Sequence, residues 1–244
     1  MMLVCISLSG SCLFCQVRLV PRFGVEQGLK ADGSVKLRAV DHMSWSNGPS
    51  KRKRTKRAVK ADSINGHYTP TVPISHDHLD DLLEAMRMHK KLVGSLPGLW
   101  KADVDAAFRR LPIRESHKWA AGVAYLLDGE PWVAFHEGMP FGATSSVVAW
   151  HRIGALITAF ARKLLHLPVF RYVDDWFAAD RHLCACCSHL RLCSFVSLFR
   201  HDTTEHAMMC MARLVRVLLG ETAISARKLE CGPSLTVLGI NVSV

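Results

Sequence analysis

Hydrophobic and polar residues change their spacing along the chain, and the changes predict hairpins separated by helices. In residues 18–43, apolar and polar side chains alternate around Asp32-Gly33, a dipeptide typical of tight turns. The segments 119–127 and 131–136 flank Asp128-Gly129 in the same way. Both regions are therefore predicted to form antiparallel β-hairpins.

Helical spacing appears in three other segments. Residues 77–93 and 145–166 carry apolar side chains three and four positions apart, a pattern typical of a helix with a buried face. A third helix is predicted to begin at a capping box of Asp202 and Glu205 and to end before Gly220.

Four further strands are predicted, and they are interspersed with the helices. They cover residues 99–104, 169–173, 176–178 and 235–244, the last as a single alternating strand. Because most connections are hairpins, the predicted fold class is α+β, with an antiparallel sheet backed by helices.

Composition adds a class of partner to this fold only through its charge. The 244-residue chain is 49% hydrophobic, which allows a sizeable core and excludes a wholly disordered protein. Lys and Arg number 31 against 21 Asp and Glu, a formal charge of +10 that points to an anionic partner. The run 51–60 (KRKRTKRAVK) could follow a nucleic-acid backbone, act as a nuclear-import signal or form a solvated flap.

Cysteine usage and the absence of long apolar runs predict an intracellular protein. The nine cysteines are odd in number and clumped, which favours a reducing compartment, nuclear or cytoplasmic. Residues 1–17 are apolar without a basic start, so a mis-assigned start or a short strand is favoured over an export signal. No run is long enough to span a membrane, and no membrane partner is expected.

Two adjacent acids, Asp174 and Asp175, are predicted at the tip of a tight hairpin. Such a pair is uninformative alone, because Asp80-Asp81 also occurs on a predicted helix whose polar face can solvate it. A third acid, Asp103, ends the 99–104 strand, and neighbouring strands lie about 4.8 Å apart. Three converging carboxylates could hold Mg²⁺ or Mn²⁺ with a triphosphate, which implies nucleotidyl transfer.

Five ordered motifs resemble those of reverse transcriptases, the RNA-directed DNA polymerases. Residues 101–113 (KADVDAAFRRLPI) are similar to the first palm motif, and 138–146 (GMPFGATSS) to the motif behind the nucleotide pocket. Residues 172–175 (YVDD) match the acidic hairpin. Arg227-Lys228 followed by Leu238-Gly239 resembles the lysine motif and the primer grip. The amino-acid sequences of these motifs are most similar to those of retrotransposon enzymes of the long-terminal-repeat or tyrosine-recombinase (DIRS-like) type.

The resemblance implies roles for individual residues. Asp103, Asp174 and Asp175 would bind Mg²⁺ or Mn²⁺ and be catalytic, whereas Asp105 is expected on the opposite strand face as a weaker candidate. Leu238 and Gly239 would form the primer grip. The nucleotide-binding residues implied by the resemblance are Lys36, Arg38, Phe108, Phe141, Gly142, Tyr172 and Lys228.

Several of these roles have an ordinary structural alternative. Phe108 would block a ribose 2′-hydroxyl, or it is a packed core aromatic. Lys36 and Arg38 would bind the triphosphate, or they are solvated. Lys228 would protonate pyrophosphate, or it is an exposed strand-end lysine. Phe141 stands where many viral relatives carry Gln, which leaves its contact with the template open.

The resemblance also implies a domain plan and partners. Residues 18–98 would be partial fingers with a basic flap at 47–60, and 99–244 a palm without a thumb. The expected partners are an RNA or DNA template with primer and deoxynucleoside triphosphates. The chain is expected to be an incomplete or decayed copy. The alternatives are an inactive nucleic-acid-binding remnant and an RNA-dependent RNA polymerase.

A Cys-rich insertion at about 182–200 interrupts the resemblance. It is expected to be an element-specific loop or a translated non-coding stretch. Zinc binding is the weaker alternative, because the spacing lacks the usual paired cysteines of such sites. The residues concerned are Cys184, Cys186, Cys187, His189 and Cys193.

Overall fold

The computed structural model describes residues 17–29, 32–46, 63–70, 72–180 and 203–244. The basic run, the Cys-rich insertion and the Asp202 cap lie outside the described residues. The chain divides into two compact units. The first unit comprises Met1–Pro73 and Phe108–Trp150, and the second comprises Ile74–Ala107 and His151–Val244.

Ten strands and three longer helices make up the regular structure of the described residues. The elements are β1 (Leu19–Leu29), β2 (Val35–Asp41), α1 (Leu79–Val93), β3 (Gly98–Asp103), β4 (Gly122–Leu127), β5 (Glu130–Phe135), α2 (Thr144–Leu164), β6 (Val169–Tyr172), β7 (Asp175–Asp180), α3 (Thr203–Leu219), β8 (Leu229–Gly232), β9 (Ser234–Val237) and β10 (Ile240–Ser243). The predicted α+β class is confirmed. Among the helices described, none combines the length and apolar character needed to cross a bilayer.

The first unit contains a four-stranded sheet in the order β2-β1-β4-β5. Both predicted hairpins are confirmed, since β1 pairs with β2 and β4 with β5 in antiparallel register. The hairpins are joined by a short parallel pairing of β1 with β4, beginning at Leu19 opposite Gly122. Val20, Met43 and Val123 pack into the buried core behind this junction.

The second unit contains an antiparallel four-stranded sheet in the order β6-β7-β3-β8, with β9 and β10 as a separate hairpin. Leu82 of α1 packs against Leu99 of β3 and Phe177 of β7 on one face of the sheet. From β7, Trp176 points to the opposite face and donates to Thr158 Oγ1 of α2 at 3.0 Å. The two central strands are therefore covered on both faces.

The predicted single strand at 235–244 is wrong, because the chain turns back on itself within it. Leu238 and Gly239 have φ values of +51° and +81°, so β9 and β10 form a tight hairpin. A turn with two positive φ values matches the right-handed twist of its strands, but it usually contains Asn or Asp before Gly. Because Leu238 occupies the first turn position, the sequence carries no turn signal there.

Candidate active site

Asp103 and Asp175 lie directly opposite each other at the end of paired strands. β3 and β7 are antiparallel, and their register runs from Gly98 opposite Asp180 to Asp103 opposite Asp175. Residues opposite each other in such a pair point to the same face, so the two carboxylates share one face. Asp174 occupies the adjoining β6–β7 turn, where its carbonyl accepts the Val104 N–H at 3.2 Å. The sheet itself therefore brings the three acids together.

A buried arginine, Arg171, stabilises the β6–β7 turn by a hydrogen bond to its backbone. Val173 in this turn has a φ of +52°, which a β-branched residue rarely adopts. Arg171 is 4% exposed and donates from Nη1 to the Val173 carbonyl at 2.8 Å. The arginine fits because residue 154 is glycine, where an added Cβ would lie 2.8 Å from Nη1. Packing of this kind can hold a strained turn in place.

Two histidines that the sequence analysis missed lie beside the same turn. The His151 ring contacts Arg171 Nη2 at 3.1 Å through Nδ1, and it meets the His76 ring at 5.5 Å between centroids. His76 also lies 5.0 Å from the Tyr172 ring, which is 40% exposed. Burial and then Arg171 lower the pKa of both histidines. No local motif identifies them, because they come from distant segments of the chain.

Negative charge at the strand ends is not fully compensated. Burial, followed by repulsion from Asp103 and Asp174, raises the pKa of Asp175 to about 6. Lys101 and Lys228 act in the opposite direction without cancelling this effect. Like charges placed opposite each other in a sheet are destabilising, so the arrangement favours an added cation.

Lys228 is the main counter-ion of this acidic group. Its Nζ lies 2.5 Å from Asp103 Oδ2 and 3.3 Å from Asp105 Oδ1. The expectation that Asp105 faces away is wrong, because Asp105 lies beyond the end of β3 and its carboxylate contacts the same Lys228 ammonium as Asp103. Asp105 also accepts the Ser225 N–H through Oδ2 at 3.1 Å. Burial opposes the charge on Lys228, but Asp103 and Asp105 outweigh it and raise the pKa of Lys228.

The acidic group has the right donors for a divalent cation, although it is not a preformed cage. Within the described residues, no three Asp, Glu, His or Cys side chains are gathered tightly enough to hold a metal ion. Asp103 is engaged by Lys228. Carboxylate oxygens are nevertheless the ligands that Mg²⁺ and Mn²⁺ prefer, and the raised pKa of Asp175 reflects charge that a cation would neutralise.

A cavity of about 320 Å³ opens beside the acids in the second unit. Asp103, Asp175 and Lys228 line it together with Leu238 and Gly239 of the β9–β10 turn. The turn is held near the sheet because Lys101 Nζ donates to the Thr236 carbonyl at 2.9 Å and pairs with Glu230 at 3.0 Å. The structure thus brings two of the three predicted catalytic acids, Asp103 and Asp175, and the predicted primer-grip residues to one cavity, which Asp174 does not line.

In the first unit, the aromatic ring of Phe141 is flanked by cations. The guanidinium carbon of Arg38 lies 5.2 Å from the ring centroid, and that of Arg109 lies 5.9 Å from it. Phe108 packs edge-on against Phe141 at 5.0 Å. Lys36 is exposed on β2. Arg109 was missed by the sequence analysis, because a lone arginine after a core aromatic carries no motif.

Gly142 follows Phe141 in a turn that requires glycine. Its φ is +87°, and an added Cβ would lie 2.8 Å from the Asp41 carbonyl oxygen. Asn65 fixes the turn by donating to the Gly142 carbonyl at 2.9 Å and accepting the Thr144 N–H at 2.8 Å. The sequence analysis did not identify Asn65. Contact of Gly142 with a base pair stays a prediction.

The first unit also contains a buried ion pair that no motif predicted. Asp41 is 5% exposed, and it accepts hydrogen bonds from Arg22 at 2.6 and 3.1 Å. His136 Nε2 lies 2.8 Å from the same carboxylate. Burial alone would raise the pKa of Asp41, but His136 and Arg22 outweigh it and lower the pKa to about 2. This carboxylate is fully compensated by its partners.

The predicted residues thus fall into two sets, one in each unit. The acids, Tyr172, Lys228 and the Leu238-Gly239 turn lie in the second unit. Lys36, Arg38, Phe108, Phe141 and Gly142 lie in the first unit. The catalytic, metal-binding and nucleotide-binding roles of all these residues stay predictions.

The chain is similar in fold to solved structures of foamy virus protease-reverse transcriptase. The crystal structure of the prototype foamy virus protein matches with a TM-score of 0.50 and 16% identity, over 93% of this chain and 23% of that one. The foamy viral protein in complex with an RNA/DNA hybrid matches with a TM-score of 0.51 and 15% identity, over 92% and 22% of the two chains. The chain therefore spans about a quarter of these structures and has a reverse-transcriptase-like fold. No protein-family model and no curated protein matches it.

Proposed function

We propose that this chain carries out template-directed nucleotidyl transfer as an RNA-directed DNA polymerase. The observation that carries the proposal is the register that sets Asp103 opposite Asp175, with Asp174 in the adjoining turn. Two carboxylates on one sheet face, beside an open cavity and with like-charge repulsion that raises the pKa of Asp175, are suited to phosphoryl chemistry. The substrates are deoxynucleoside triphosphates and a primer on an RNA or DNA template.

Asp103, Asp174 and Asp175 would hold Mg²⁺ or Mn²⁺. When bound, such ions stabilise the attacking and leaving oxygens of an in-line displacement. Lys228 carries a proton on Nζ beside Asp103, where it can donate to the departing pyrophosphate. Leu238 and Gly239 line the same cavity and would support the primer terminus.

Nucleotide recognition is assigned to the residues around Phe141 and to Tyr172. Arg38 and Lys36 provide cations for the triphosphate, and planar arginine suits phosphate oxygens. Phe108 excludes the ribose 2′-hydroxyl and so selects deoxynucleotides. Gly142 would let the backbone of its turn approach a base pair, while the place of its missing side chain is filled by the Asp41 carbonyl oxygen. Tyr172 is the exposed aromatic beside the acidic turn.

The structural neighbours support a nucleic-acid partner. One foamy viral protease-reverse transcriptase structure contains an RNA/DNA hybrid, the type of duplex that reverse transcription produces. On the basis of the motifs we assign a palm within residues 99–244 and partial fingers within residues 18–98. The two compact units divide the chain differently, with 108–150 in the first unit and 74–98 in the second. On the basis of the motif sequences we also propose that the chain is a retrotransposon enzyme and that it acts inside the cell.

Primer extension on a poly-ribonucleotide template tests the proposal. Wild-type protein with Mg²⁺ or Mn²⁺ is expected to extend the primer with deoxynucleotides rather than ribonucleotides. Asp174→Asn should abolish extension while binding of the template-primer is retained. Asp80→Asn is the matched control, because this acid lies in the first turn of α1. Ribonucleotide incorporation would favour an RNA-dependent RNA polymerase instead.

A nucleic-acid-binding protein without catalysis is the second candidate. The observation favouring it is the net charge of +10, with seven cations in the run 51–60. Such binding would weaken steeply as salt rises, because counter-ions are released from the phosphates. Salt-sensitive binding without extension, unchanged by Asp174→Asn, would establish this candidate over the enzyme.

A further inference from the structure

Lys228 contacts two carboxylates with different surroundings, and this difference suggests an exchange. We propose that Lys228 is a displaceable counter-ion of Asp103, and that Asp105 is the positioning residue that accepts Lys228 when Asp103 binds a divalent cation. The inference rests on the proposed function in one respect, namely that Asp103 is a cation ligand.

Lys228 lies close to the carboxylate of Asp103 and somewhat farther from that of Asp105. Nζ lies 2.5 Å from Asp103 Oδ2 and 3.3 Å from Asp105 Oδ1. A shift of the ammonium of roughly an ångström toward Asp105 would reverse this preference, and the flexible four-carbon stem of lysine allows it. No backbone movement is needed for the exchange.

Asp105 is fixed in place independently of Lys228. Its N–H donates to the Ala223 carbonyl at 2.8 Å, and its Oδ2 accepts the Ser225 N–H at 3.1 Å. The remaining oxygen, Oδ1, faces Lys228. The carboxylate therefore has one oxygen for the backbone and one for the ammonium, and it stays in position when Lys228 moves.

The charge at Asp105 lowers the cost of releasing Asp103. An ammonium and a divalent cation compete for the same carboxylate, because both are positive and need its oxygens. The Lys228 side chain is 26% exposed, so leaving its ammonium without a partner would be unfavourable. Asp105 supplies that partner within the site, so a cation can bind Asp103 without expelling an unpaired lysine.

Manganese binding in a four-protein cycle tests this exchange without requiring catalysis. Free Mn²⁺ is followed by electron paramagnetic resonance with wild type, Asp105→Asn, Lys228→Met and the double variant. Asp105→Asn keeps an acceptor for Ser225 but loses the charge, so Mn²⁺ affinity should fall roughly tenfold. Lys228→Met should tighten binding, and in that background Asp105→Asn should have little effect.

Asp80→Asn is the matched control for loss of a carboxylate from the same unit. Asp80 is exposed in the first turn of α1 and does not line the cavity, so Mn²⁺ affinity should stay close to wild type in this variant. If Asp105→Asn lowers Mn²⁺ affinity equally with and without Lys228, the proposed exchange is wrong. The effect would then come only from long-range attraction between the Asp105 carboxylate and the metal ion. No effect in either background would also overturn the exchange.

Primer extension with the same proteins separates this inference from the proposed function. An active wild type whose Mn²⁺ cycle is additive would overturn the exchange and leave polymerase activity standing. An inactive wild type with the expected cycle would support the exchange and argue against nucleotidyl transfer. Absence of Mn²⁺ binding by every protein in the cycle would overturn both.

Discussion

The two units contain carboxylates with opposite electrostatic surroundings, Asp41 buried in the first unit and Asp175 half-buried in the second. In the first unit, Asp41 accepts two hydrogen bonds from Arg22 and lies 2.8 Å from His136, and its pKa is lowered to about 2. In the second unit, Asp175 faces Asp103 and Asp174, and its pKa is raised to about 6. Burial raises the pKa in both cases, so the partners account for the difference.

The comparison distinguishes a carboxylate that maintains the fold from one available for chemistry. A buried charge with matched donors stabilises the native state once it has formed, and removing one partner is costly. A buried charge among like charges costs stability, and such groups concentrate at functional sites. Repulsion among like charges, rather than burial, therefore distinguishes the candidate site in the second unit.

Neutral isosteres at the two positions should change stability in opposite directions. Asp41→Asn leaves Arg22 without its carboxylate and should lower the free energy of unfolding by about 3 kcal/mol. Asp175→Asn removes repulsion from Asp103, so without divalent cations it should leave stability unchanged or raise it by up to about 2 kcal/mol. Chemical denaturation with both variants measures this difference.

An exposed pair in the first unit provides the control for Asp41. Glu115 pairs with Lys118 at 3.0 Å and its side chain is 84% exposed, so Glu115→Gln should not shift the unfolding midpoint. The comparison would fail if Asp41→Asn behaved like this control, or if Asp175→Asn destabilised the protein as strongly as Asp41→Asn.

The pH dependence of stability should contain a contribution from Asp41 on the acid side. Its pKa is about 2 in the folded protein against an ordinary value of 3.8, so the folded state favours the ionised form. This contribution is fully present above about pH 4 and is lost as pH falls toward 2, in total about 2 kcal/mol. In Asp41→Asn this loss of unfolding free energy between pH 4 and 2 should be missing, and denaturation at several pH values measures it. Parallel curves for the two proteins between pH 4 and 2 would contradict the assignment.

Much of the fold could be predicted because its hairpins and helices carry local signals. Asp32-Gly33 and Asp128-Gly129 marked two turns, and Gly94 ends α1 with a φ of +78°. The β9–β10 hairpin was missed because Leu238 adopts a positive φ without a turn-forming side chain. Local signals therefore fail where tertiary contacts hold an unfavourable backbone conformation.

For the candidate site, too, local sequence signals predicted some residues, whereas contacts between distant segments could not be predicted. Asp174, Asp175 and Asp103 could be selected because strand ends and turns are readable from spacing. Arg22 and His136 could not be connected with Asp41, because they are 19 and 95 residues away from it and only the folded sheet brings them together. Partners of a buried charge are thus the part of a site that a single sequence reveals least.

The smallest expected effect concerns the cations of the first unit, which lie over an aromatic ring instead of a carboxylate. Arg38 and Arg109 approach Phe141 at 5.2 and 5.9 Å. Phe141→Leu keeps an apolar side chain but removes the ring, and a cation–π contact at an exposed site is worth about 0.5–1 kcal/mol. Under the proposed function, the KM for deoxynucleotides should therefore rise roughly threefold with kcat unchanged. Phe23→Leu, which alters an exposed β1 ring, should leave KM unaltered. Equal KM changes in both variants would show that the Phe141 ring does not orient these arginines for the triphosphate.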